Sequence, residues 1–69
     1  MPAYLYSAHR NNQREELGTI ELPCDDTARD FAKRVIRDIL RDNPRDYSGW
    51  VLDIRKEGRI VAGIPYTAR

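Results

Sequence analysis

Residues 26–43 read DTARDFAKRVIRDILRDN, and the spacing of their apolar side chains decides the fold. Ala28, Phe31, Ala32, Val35, Ile36, Ile39 and Leu40 recur in steps of three and four, the period of one helix face. The residues between them are mostly charged, so the stretch cannot lie as a half-buried strand. The spacing predicts a helix over Asp26–Asp42 that turns Phe31, Val35 and Ile39 inward. Asp25 or Asp26 is placed to cap the free N–H groups of the first turn. At the other end Arg41 suits the last turn, Pro44 forces Asn43 out of helical geometry, and residues 45–49 form a polar linker.

An amphipathic helix needs an apolar surface to cover, and the flanking segments read as the strands that supply it. Ala3–His9 alternates, with Tyr4, Tyr6 and Ala8 opposed to Leu5, Ser7 and His9. Residues 10–16 are wholly polar and read as an exposed connection with a turn at Asn11-Asn12. Gly18–Leu22 then forms a short edge strand ended by Pro23, which has no N–H for the ladder. Past the helix, Trp50, Leu52 and Ile54 alternate inward against Val51, Asp53 and Arg55. Gly58 marks a tight hairpin, and Ile60–Tyr66 is the most continuously apolar strand. Gly63 within it suggests a bulge or close packing, and Thr67-Ala68-Arg69 is a tail.

The order is therefore β-β-α-β-β, a single α+β domain over residues 1–69: a four-stranded sheet with one amphipathic helix on one face. The first and last strands carry apolar residues on both sides, which places them in the centre. That gives the order 2-1-4-3 of a β-grasp, the arrangement of the small immunoglobulin-binding bacterial domains. A fully antiparallel 2-1-3-4 is the alternative.

Composition narrows the function classes. The chain has 12 basic and 11 acidic residues, a formal net charge of +1, so no long-range field draws it to nucleic acid or membrane. One cysteine permits no intrachain disulfide and fits a cytoplasmic setting. There is no signal-peptide pattern, and no apolar run approaches the roughly 20 residues that cross a bilayer.

Residues that could carry chemistry are few. Cys24 lies near a helix N-terminus, but Asp25 and Asp26 follow it, so an inert, dispensable thiol is expected. His9 is the lone histidine and reads as a surface residue, since catalysis or metal binding needs further groups around it. The helix aspartates alternate with arginines as solvated ion pairs. No metal ligands, cofactor motif or phosphate-binding glycine loop is found. Arg29, Lys33, Arg37 and Arg41 form a basic ridge that could lie on phosphates, with an acidic ridge beside it. The phase of Tyr4, Tyr6, Trp50 and Tyr66 puts them in the core rather than on a base-stacking face. The C-terminus lacks the Gly-Gly of ubiquitin-like sulfur carriers.

Met1-Pro2-Ala3-Tyr4-Leu5-Tyr6, Gly18–Pro23, Trp50–Ile54, Gly58 and Ile64-Pro65-Tyr66 together resemble a family of small alphaproteobacterial proteins, rhizobial especially, catalogued as a domain of unknown function. The resemblance spans nearly the whole chain and implies this topology, with no catalytic residues to carry over. Two positions depart from the family: Arg10-Asn11-Asn12 replaces an acidic loop, and Cys24 stands where aspartate is common.

The reading that follows is a non-enzymatic protein-interaction module using the open sheet face or the helix. Leu5, Val51 and Val61 are expected to form a contiguous apolar strip on the open face, for a protein partner or a second copy of the chain. A weak nucleic-acid binder using Arg29, Lys33, Arg37 and Arg41 is the alternative.

Overall fold

A computed structural model describes residues 1–42 and 47–66. The expectations for Asn43, Pro44, Arg45 and Asp46 at the helix exit, and for the tail 67–69, fall outside the described residues. The elements are β1 (Ala3–Arg10), β2 (Gln13–Glu21), α1 (Asp25–Asp42), β3 (Val51–Lys56) and β4 (Arg59–Pro65).

The sheet is antiparallel throughout, in the order β2-β1-β3-β4. The β-grasp order 2-1-4-3 is therefore corrected to the alternative. Apolar residues on both sides of β4 pointed to a central strand, but the centre of the uncovered face is polar. Asp53 of β3 is buried there because it faces Ser7 and lies beside His9, so β3 sits next to β1 without needing two apolar faces. The all-antiparallel ladder also avoids the slanted, weaker hydrogen bonds of a parallel β1–β4 pair.

The first hairpin is tighter than its polarity suggested. Arg10 pairs directly with Gln13, so only Asn11 and Asn12 form the loop, and Asn11 takes φ 54°. β2 thus begins within the segment expected to be a connection, its polar side chains lying along an exposed edge. The second hairpin also has a two-residue loop, and its φ values of 53° at Glu57 and 79° at Gly58 have the signs of a type I′ turn.

Two β-bulges shape the edges. On β2, Tyr6 pairs with Gly18 and Ser7 with Glu16, leaving Leu17 as the extra residue. On β4, Ile54 pairs with Ala62 and Arg55 with Ile60, leaving Val61 extra. The second bulge exchanges the faces expected of Ile60 and Val61, while Ala62 and Ile64 keep theirs opposite Ile54 and Leu52. Ile60 shares a face with Arg55 and is 63 % exposed, while Val61 packs against the core. Gly63 marks close packing instead: a Cβ there would lie 3.3 Å from Asp53 Oδ1.

The core is Tyr4, Tyr6 and Ala8 of β1, Leu52 and Ile54 of β3, Trp50 and Tyr66, and Ala28, Ala32 and Ile36 of α1. The buried line of the helix is rotated from the expected one. Phe31, Val35 and Ile39 lie on its flank, half-buried, because small Ala28 and Ala32 allow the closest approach. The helix packs most closely over β3 and β4. Large tyrosine rings on β1 hold it off the other half of the sheet, where the Tyr6 ring meets Phe31 edge-on at 5.5 Å.

The start of the helix also differs from expectation. Ala28 N–H donates to the Cys24 carbonyl at 3.1 Å, so Cys24 is the N-cap residue. Asp25 is turned inward instead, accepting from Tyr4 Oη at 2.7 Å and Lys56 Nζ at 3.0 Å. These two donors hold its carboxyl below the usual range.

Candidate functional site

On the uncovered face the register lays out three rows. Thr19, Leu5, Arg55 and Ile60 form the first, Glu16, Ser7, Asp53 and Gly63 the second, and Arg14, His9, Val51 and Pro65 the third. The polar Ser7–Asp53 row therefore separates Leu5 from Val51, and the β4 bulge turns Val61 toward the core. Leu5, Val51 and Val61 do not form the contiguous apolar strip expected of them.

The face is instead paved by long polar side chains. His9 Nε2 lies 3.1 Å from Asp53 Oδ2, a pairing that sequence spacing could not show because the two residues meet only across β1 and β3. Arg14 Nη2 donates to Ser7 Oγ at 3.3 Å and helps seal that fully buried hydroxyl. Serine, histidine and aspartate are neighbours here, with Ser7 engaged by Arg14 and without access to solvent.

The basic ridge is partly neutralised within the helix. Arg29 pairs with Asp26 at 2.9 Å, and Arg41 with Asp38 and Asp42, each at 3.2 Å. Lys33 and Arg37 are exposed between them. Tyr4, Tyr6, Trp50 and Tyr66 are all buried, so none is presented for base stacking.

Cys24 is exposed, with its sulfur 3.3 Å from Thr27 Oγ1. The Thr27 hydroxyl, followed by the backbone N–H groups of the first turn, lowers its pKa against partial desolvation and, last, the charge of Asp26. The acidic flank was expected to decide this balance; the cap hydrogen bonds outweigh it. Native Cys24 is expected to react with iodoacetamide near pH 7 faster than in the urea-unfolded chain. Equal rates would mean that the cap does not reach the sulfur.

An apolar concave feature lies on the helix side, where α1 stands away from β2. An apolar groove of about 280 Å³ is lined by Tyr6, Leu17, Gly18, Thr19, Ile20, Phe31 and Val35. The β2 bulge makes it. Leu17 is pushed out to 42 % exposure at its rim, and Gly18, at φ 137°, has open space where a Cβ would stand. Non-glycine residues rarely adopt that backbone geometry. One side of the groove is the free edge of a strand and the other is a helix. Sequence reasoning missed it because residues 13–16 did not read as strand; the signal available was Leu17-Gly18 breaking the alternation.

Residues 5–67 match the family DUF6894, described as a domain of unknown function. The chain belongs to that family. No match to it is found among curated proteins or among solved structures. Among the described residues, no helix is long and apolar enough to cross a membrane.

Proposed function

We propose that the chain is a non-enzymatic protein-interaction module that receives an extended segment along the free edge of β2. The observation that carries this reading is the groove between that edge and α1. An edge strand offers unpaired N–H and C=O groups to a further strand, and an adjoining apolar groove accepts alternate side chains of the added segment. Gly18 leaves the groove floor open, while Phe31 and Val35 form its helix wall. The sealed Ser7 supports leaving chemistry out of this reading.

The test is an amide NMR titration with a capped hexapeptide of alternating threonine and leucine, flanked by lysines. Shifts are expected at Leu17, Gly18, Ile20, Phe31 and Val35, and their loss in Val35→Glu. Unmoved groove signals at millimolar peptide would overturn the reading, as would shifts confined to the uncovered sheet face.

A further inference from the structure

We infer that the segment received at the β2 edge is β2 of a second copy of this chain, paired antiparallel about a two-fold axis. This rests on the interaction reading above and names its occupant.

Pairing with β1 places Arg14, Glu16, Thr19 and Glu21 of β2 on the uncovered face. It places Glu15, Gly18 and Ile20 on the helix side, which Leu17 shares as part of the groove lining. Opposed residues of an antiparallel pair must point to the same face. One register about the two-fold axis satisfies this along the strand. It sets Arg14 against the partner's Glu21, Glu15 against the partner's Ile20, Glu16 against the partner's Thr19 and Leu17 against the partner's Gly18. A slip of one residue in either direction sets an uncovered-face side chain against a helix-side one, as Arg14 against the partner's Ile20 or Glu16 against the same residue.

That register also opposes unlike charges at both of its ends and a large side chain to a glycine at its centre. It makes two symmetric Arg14–Glu21 ion pairs, and both residues are exposed in the single chain. Each exposed Leu17 reaches the position where the other copy's Gly18 leaves its groove open. Two β-bulges, each an irregularity in its own chain, thereby face one another. The interface is isologous, as a closed dimer requires.

The experiment is sedimentation equilibrium on the full chain, on Arg14→Glu, on Glu21→Arg and on an equimolar mixture of the two variants, with circular dichroism confirming that each variant is folded. The parent is expected to dimerise. Each single reversal sets like charges opposite one another twice and should weaken self-association about tenfold or more. The mixture should recover the dimer, because each Arg–Glu contact is then restored between unlike chains. Leu17→Glu should give monomer without rescue. Dimerisation that none of these variants affects would overturn the inference and move the interface elsewhere. Exposed Ile60 of the β4 edge is then tested by Ile60→Asp. A monomeric parent would overturn it too, and the peptide titration then separates the two claims. Groove shifts would retain the interaction reading with another occupant, and their absence would remove both.

Discussion

Leu52→Ala is expected to cost about 2–5 kcal/mol, as buried leucine truncations do when the cavity cannot collapse. Leu52 is fully buried, and pairs with Ala8 on one side and Ile64 on the other. A domain of 69 residues has a total stability on the order of 3–10 kcal/mol. The variant should therefore lose a large share of the stability of the fold, seen as a lower urea midpoint. Phe31→Ala provides the contrast. Phe31 is half-buried at the groove, so its loss should cost about 2 kcal/mol, below the range for a fully buried ring. Urea melts of both variants check the order. If Phe31→Ala proves the more damaging, the helix is seated with Phe31, and not Ala28 and Ala32, at the centre of its buried line.

The second large effect is alkaline unfolding. Burial, followed by the hydrogen bond to Asp25 and its charge, pushes the Tyr4 hydroxyl from 10.0 up to about 12. Burial likewise raises Tyr6 to about 12, and its hydroxyl donates to the Ala28 carbonyl at 2.9 Å. The folded state thus holds both protons more tightly than the unfolded chain does. Their contribution to stability is complete below pH 10 and is lost as the pH rises from 10 toward 12. Tyrosine absorbance near 295 nm and far-ultraviolet circular dichroism, followed together, should show ionisation and unfolding in one step above pH 10. Tyr4→Phe and Tyr6→Phe should each flatten that pH dependence while lowering stability at neutral pH through the lost hydrogen bond. Ionisation of these rings near pH 10 with the fold intact would show that neither hydroxyl is buried as described. Asp25 acts in the opposite direction: its lowered carboxyl contributes stability above the ordinary aspartate range, which is lost as the pH falls through its folded value.

Periodicity alone carries the elements of this protein. The three- and four-residue steps of Ala28 to Leu40 can only be a helix, and the alternation around Tyr4–Ala8 and Leu52–Ile54 can only be strand, because burial of one face selects those spacings. The tight turn at Glu57-Gly58 and the core placement of the aromatic residues were legible for the same local reason. Strand order was not, since both candidate sheets bury the same apolar residues against the helix. The choice depended on polar contacts between distant residues, such as His9 with Asp53. The bulges at Leu17 and Val61 were equally hidden. A bulge shifts pairing by one residue and moves every later side chain to the other face, yet it leaves only a faint break in the local pattern. The β1–β3 pairing and the Val61 bulge dissolved the expected Leu5–Val51–Val61 strip, and the Leu17 bulge opened the groove beside β2. The elements are local consequences of hydrophobic spacing, whereas register, and with it every candidate surface, is settled only when the strands pair.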